Sequence, residues 1–233
     1  MKPDKIRYNE RMLRYFYQII TEIGLIIFYP ILSLIVLFVP SWELRGQGQG
    51  KTIVIVERWL SINIRHLYWK YYLERKGYNV YLANFPLRLG DFHESAKHLD
   101  AYLERNELTD VTIVGISSGA LTSFLYLHYY DGWSRVDKFI SIGTPFQGTW
   151  MAVFLSWLRS GREVLPNSNL IREIQTIRLE HLDRVYCMKA KFDEMVPTGT
   201  ILSGAHKITL NVIGHNNLHL HIRATYKKIM EIV

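Results

Sequence analysis

Gly115-Ile116-Ser117-Ser118-Gly119 sets a serine between two glycines, directly after the β-branched run Val111–Val114 and directly before a helical stretch, Ser118–Tyr130. A serine hydroxyl is a poor nucleophile at neutral pH. It becomes a good one when a base lies within hydrogen-bond reach and a third group orients that base. A sharp strand-to-helix turn suits this task. It lifts the hydroxyl above the sheet edge, holds the serine in a strained backbone conformation, and aims the free N–H groups of the helix start at developing negative charge. The residues two before and two after must be tiny, because strand and helix nearly touch there. Ser117 is therefore the candidate nucleophile, and the backbone N–H of Ser118 a candidate oxyanion donor. Ser118 is the competing hydroxyl, but it lacks the flanking symmetry.

Two later loops offer the partners. The run Val185–Ala190 reads as a strand, and Lys191-Phe192-Asp193-Glu194-Met195-Val196-Pro197 follows it. Asp193 is the best acid; Glu194 is its neighbour and rival, and a turn-capping role is the plain alternative for Asp193. The run Ile208–Ile213 reads as the next strand, and Gly214-His215 follows it at the start of the closing helix, Asn216–Ile232. His215 is the candidate base. The chain has nine histidines, so position singles it out, not residue type. His219 lies four residues on and could share a metal with His215 on one helix face. No Glu follows His215 and no third ligand is evident, so no metal and no cofactor is expected.

Something must bring these loops together. Thr52–Val56, Tyr78–Ala83, Val111–Val114, Val136–Ile142, Val185–Ala190 and Ile208–Ile213 are six strand-like runs. Helical stretches separate the earlier ones, at Asn63–Lys76, Asp91–Asn106 (with Asp91 as N-cap) and Ser118–Tyr130. Strands alternating with helices predict an α/β fold, a mostly parallel six-stranded sheet covered on both faces. Ligands of such sheets bind beyond the carboxyl ends of the strands, where Ser117, Asp193 and His215 would stand. The domain is read as 46–233, with an insertion at about 146–184 forming a helical cap. Trp150, Phe154 and Trp157 in that insertion belong either to a helix packed on the core or to a lid and acyl-chain wall over Ser117.

The composition narrows the partners. The net charge is +7, but zinc-finger spacing, a recognition helix and an aromatic-basic sheet motif are all missing, so no nucleic acid is expected. Lys and Arg are mixed with Asp and Glu along the chain. That describes a solvated surface, or one drawn to anionic lipid head groups. The single cysteine, Cys187, excludes an intramolecular disulfide and reads as a small buried side chain.

Residues 1–45 read as a separate unit. Ile23–Val39 carries no charged residue. As a helix it would be ~26 Å long, just short of a ~30 Å hydrocarbon core. Tyr15, Phe16, Tyr17 and Trp42 flank it as interfacial aromatics do, and Pro30 should kink it. Lys2, Lys5, Arg7, Arg11 and Arg14 precede it, and no small-x-small cleavage site follows. The expectation is a retained single membrane anchor, N-terminus in and catalytic domain outside the cytoplasm. A Pro-centred hairpin in one leaflet and a helix pair packed on the domain are the open alternatives. The oligomeric state is left open.

From about Thr52 to Val233 the chain resembles the α/β-hydrolase lipases and esterases. The resemblance rests on Gly115-Ile116-Ser117-Ser118-Gly119, Gly143-Thr144-Pro145-Phe146-Gln147-Gly148-Thr149, Phe192-Asp193-Glu194-Met195-Val196-Pro197 and Gly214-His215-Asn216-Asn217-Leu218. Residues 161–170 are also similar to the cap-to-core stretch of bacterial triacylglycerol-lipase relatives. The resemblance implies a serine hydrolase of carboxylic esters, lipid esters foremost, working through an acyl-enzyme. It also implies a second oxyanion donor in the loop after the first core strand. There the family has His-Gly, and this chain has Glu57-Arg58-Trp59, which makes Trp59 the donor by position. Phe146 stands where the family often has His, a change expected to touch the pocket wall. Two rival readings stay open: a non-catalytic hydrolase-like protein that binds lipid or a partner at the membrane, and an acyltransferase built on the same three residues.

Overall fold

The computed structural model describes residues 3–36, 45–57, 64–83, 91–220 and 222–233. Six strands form one sheet: β1 (Thr52–Val56), β2 (Asn79–Ala83), β3 (Val111–Ile116), β4 (Val136–Ile142), β5 (Val185–Phe192) and β6 (His206–Ile213). Their order is β2-β1-β3-β4-β5-β6, and every neighbouring pair runs parallel. The expected parallel sheet is therefore present, with all strand ends of one polarity at one edge.

Alternate residues of each strand feed opposite layers. Val54, Ile113, Phe139 and Cys187 pack under α3 (Phe92–Arg105) and α4 (Ser118–Tyr129). Ile55, Val114, Ile140 and Met188 pack against Trp69 and Leu73 of α2 (Ile64–Glu74) and against Tyr226 and Ile229 of the closing helix Ile222–Ile232. All six residues of β3 are buried, as expected of a central strand covered on both faces. The Asp91 carboxylate accepts from the His93 N–H at 2.7 Å, the expected cap of α3. Burial pushes the Cys187 thiol up from its ordinary value.

The closing helical stretch is described on either side of residue 221, which lies outside the described residues. It comprises α7 (His215–Leu220) and α8 (Ile222–Ile232). The insertion after β4 holds a 3-10 turn (Trp150–Leu155), α5 (Arg159–Glu163), α6 (Asn169–Thr176) and a 3-10 turn (Leu182–Arg184). Trp150, Phe154 and Trp157 are each 72% exposed, so their rings neither pack on the core nor line an enclosed wall. Phe146 is buried against Phe124, at 5.7 Å between ring centroids, and is a core residue.

The N-terminal reading needs correction. Helix α1 spans Pro3–Val36 and continues through Pro30; residues 37–44, including the end of the apolar run and Trp42, lie outside the described residues. Among the described residues no helix is long and apolar enough to cross a membrane. The part of α1 just before the apolar run is held by the domain through a polar face. Gln18 and Glu22 are buried, with Tyr15 and Thr21 half-buried beside them, against β6 and α7. Leu13, Phe16, Tyr17, Ile20, Ile23 and Ile27 face outward. Over residues 12–28 the helix is amphipathic with its polar stripe turned toward the domain, the reverse of an ordinary surface helix.

Candidate active site

β3 ends at Ile116 and α4 begins at Ser118, so Ser117 alone makes the turn. Its backbone sits at φ 49°, ψ −121°, a left-handed conformation unfavourable for a residue with a Cβ. The Ser117 N–H donates to the Ile142 carbonyl at 2.8 Å, which ties the turn to β4. Both flanking glycines are required by contact. A Cβ on Gly115 would lie 2.5 Å from the Cα of Ala120, and one on Gly119 would lie 2.2 Å from the Val56 carbonyl oxygen. These neighbours are backbone atoms and cannot swing aside. Gly119→Ala should therefore destabilise the fold by about 1–3 kcal/mol through overpacking. Thermal melting checks this, and an unchanged melting temperature would contradict it.

The next two loops deliver the other groups. β5 ends at Phe192, and the turn after it is built on Asp193. The Asp193 Oδ1 accepts from the N–H groups of Met195 and Val196 at 3.0 and 2.8 Å, an Asx-type turn that fixes its carboxylate. The Thr149 hydroxyl donates to the Met195 carbonyl, which fastens this turn to the start of the insertion. β6 ends at Ile213, Gly214 turns the chain at φ +102°, and His215 opens α7.

His215 lies between the other two. Its Nδ1 is 2.8 Å from Asp193 Oδ2 and 3.0 Å from Oδ1, and its Nε2 is 3.1 Å from Ser117 Oγ. The three side chains thus form one chain of hydrogen bonds from separate loops at one sheet edge. Gly143 makes room for the ring: at φ +59°, a Cβ there would meet His215 Cε1 at 3.2 Å and His219 Nε2 at 3.1 Å. Glu194 does not touch the ring. It accepts instead from the His215 backbone N–H at 3.2 and 3.3 Å.

The electrostatics favour a strong base. Burial by itself pushes the His215 imidazole down, but the Asp193 carboxylate, with Glu194 and Glu22 behind it, outweighs burial and raises it above its ordinary value. A general base works only when deprotonated. If His215 is that base, kcat/KM should fall as pH drops through a midpoint above ~6.5, the ordinary imidazole value. A pH–rate profile with its acid limb below that value would contradict this.

The remaining candidates divide. Ser118 is buried as the first residue of α4, where N–H groups have no acceptor within the helix. Trp59, the other oxyanion candidate, lies outside the described residues, as does Arg58. The His215 and His219 rings meet edge-on at 4.3 Å. Among the described residues no group of three or more His, Cys, Asp or Glu is arranged to hold a metal. Gln18 and Glu22 of α1, which bond the His215 segment directly, had no signal in the sequence beyond being polar in an apolar stretch.

No protein-family model matches the chain, and no curated protein matches it in sequence. Solved structures do match. The mature lipase BlEst2 of Bacillus licheniformis aligns at a TM-score of 0.64 with 12% identity, over 82% of this chain and 97% of that one. The esterase EaEST of Exiguobacterium antarcticum aligns at 0.58 with 16% identity, over 82% and 94%. A bromoperoxidase of Bacillus anthracis aligns at 0.59 with 14% identity, over 84% and 97%. At such identities the likeness establishes the fold, and a lipase, an esterase and a bromoperoxidase among these neighbours show that the scaffold carries more than one chemistry.

Proposed function

We propose that this protein, an α/β-hydrolase by fold, is a serine hydrolase of carboxylic esters that uses Ser117, His215 and Asp193. The observation that carries the reading is the unbroken hydrogen-bond chain from Ser117 Oγ through the imidazole to Asp193. His215 takes the Ser117 proton as Oγ attacks the ester carbonyl. Asp193 holds the tautomer that keeps Nε2 free and stabilises the imidazolium that forms. The Ser118 N–H, at the start of α4, donates to the oxyanion, with a second donor from the loop after β1. His215 then protonates the leaving alcohol. Water, deprotonated by the same ring, cleaves the acyl-enzyme and regenerates Ser117. Neighbours described as a lipase and as esterases support an ester substrate.

Lipid esters are the favoured class. The support is the apolar surface near the insertion and on α1: Trp150, Val153, Phe154 and Trp157 are exposed, as are Phe16, Ile20 and Ile23. Contiguous exposed apolar side chains mark surfaces that meet lipid or another apolar partner. The basic residues among the first fourteen would add attraction to anionic head groups. In this arrangement the chain lies against a lipid surface rather than crossing it.

Hydrolysis of nitrophenyl esters tests both levels. Turnover of any ester by wild type but not by Ser117→Ala supports the hydrolase reading, and no turnover of any chain length opposes it. A rate that climbs once a long-chain ester exceeds its micelle-forming concentration supports the lipid class. A preference for short, dissolved esters opposes it. Added alcohol acceptors would reveal acyl transfer as transesterified product.

A further inference from the structure

Because α7 starts at His215, its first backbone N–H groups have no acceptor within the helix, and whatever accepts from them sets the direction of that turn. Two carboxylates do so. Glu194 accepts from His215, as described. Glu22, reaching across from α1, accepts from the N–H groups of Asn216 and Asn217 at 2.8 Å each and from the Asn216 side-chain amide at 2.7 Å. Its neighbours on α1 hold the same segment. The Gln18 side chain accepts from the Ile213 N–H at 3.1 Å, and the Gln18 carbonyl accepts from the Asn217 amide at 2.7 Å. The Thr21 hydroxyl donates to Asn217 Oδ1 at 3.1 Å.

The backbone before His215 is shaped to receive Glu22. A Cβ on Gly214 would fall 2.2 Å from Glu22 Oε2 and 2.6 Å from its Cγ. Glu22 is only 5% exposed, although it sits on a helix that turns apolar side chains outward. A carboxylate is costly to bury unless its acceptor sites are filled, and here N–H donors of α7 fill them.

We propose that Glu22 is a positioning residue for His215: paired with Glu194, it fixes the first turn of α7 and so couples docking of the N-terminal helix to the reach of the imidazole toward Ser117. This rests on the hydrolase reading above. The Glu22 and Glu194 carboxyls face each other behind the first turn of α7, Glu194 accepting from the His215 N–H and Glu22 from those of Asn216 and Asn217. Burial first, and then the facing Glu22 carboxylate, pushes Glu194 up to about 7 from an ordinary 4.5. Among the described residues, titratable groups on the elements packed against the pair include Tyr15 on α1, Lys191 on β5, Asp193 after it, and His215 and His219 on α7. Lys191 donates to the Tyr15 hydroxyl at 3.1 Å, and Asp193 is taken up by His215 and its own turn. Because the docked value lies above the ordinary one, the contribution to docking is complete below about 4.5 and is lost as pH rises through about 7.

Steady-state kinetics on a nitrophenyl ester test this in the full chain. Glu22→Ala should lower kcat by about 10²-fold with KM little changed, because the base is misplaced rather than removed. Glu22→Gln, which keeps one acceptor oxygen, should recover part of that rate. Glu10→Gln, at an exposed carboxylate on the same helix, should change nothing. Wild-type kcat should decline as pH rises through about 7. Glu194→Gln, which retains a donor and an acceptor but no titrating proton, should remove that decline. If Glu22→Ala does not fold, the Glu194→Gln profile decides. A folded Glu22→Ala with wild-type kcat overturns the proposal, and so does an alkaline decline that persists in Glu194→Gln. A wild type that hydrolyses no ester and takes no fluorophosphonate on Ser117 defeats the hydrolase reading and this proposal with it. An active wild type matched by Glu22→Ala defeats this proposal alone.

Discussion

Ser117→Ala and His215→Ala should each lower kcat/KM by about 10⁴-fold or more, and the double variant should be no worse than either. The reason lies in the geometry. The His215 Nε2 is 3.1 Å from Ser117 Oγ, and in the proposed mechanism it serves by taking that one proton. Without the hydroxyl the ring has nothing to activate, and without the ring the hydroxyl stays protonated at neutral pH. Two groups that act as one unit cannot contribute independently. Multiplying effects in the double variant would show that the two residues act separately, as they would if Ser117 merely lined a binding cleft. Kinetics on a nitrophenyl ester at saturating and at low concentration separate these outcomes.

Asp193→Asn should cost about 10⁴-fold in kcat while leaving the fold intact. The asparagine carbonyl oxygen can still accept from the N–H groups of Met195 and Val196, which now bond to Asp193 Oδ1, so the turn survives. The oxygen Oδ2, at 2.8 Å from His215 Nδ1, becomes an amide N–H. Two donors cannot face each other, so the ring must put its proton on Nε2, and Nε2 then points a donor at Ser117 where an acceptor is needed. Melting temperature and kcat measured together check this. A large loss of stability, or activity within tenfold of wild type, would contradict the assigned role.

The chain order of the three loops was legible because each follows a strand, and parallel strands deliver their carboxyl ends to one edge. Asp193 could not be separated from Glu194 by adjacency alone. Both follow the end of β5, where the turn built on Asp193 sends the two side chains different ways, and only coordinates show that Glu194 meets the His215 backbone rather than its ring. Helix α1 misled for a different reason. Ile23–Val39 lacks charge, and hydropathy does not record that the polar residues just before it, Gln18, Thr21 and Glu22, fall on one face and find partners nearly two hundred residues away. The same limit applies to Trp150, Phe154 and Trp157. An aromatic run fits a packed helix as well as an open 3-10 turn, and exposure is a tertiary outcome. Phe146, read as pocket wall by resemblance, lies buried beside Phe124, a contact that residue type alone does not reveal. The glycines were the most transparent signal, because the close approach of Val56 to Gly119 and of Ala120 to Gly115 leaves no room for any other residue.

The most direct measurement is mass spectrometry of the folded protein after a fluorophosphonate probe, which forms a stable adduct only with a serine whose proton has a ready acceptor. The expected result is a single adduct on the peptide carrying Ser117, lost in His215→Ala and lost on denaturation before labelling. A folded protein that takes no label at Ser117, or takes it equally well without the imidazole, would contradict the account.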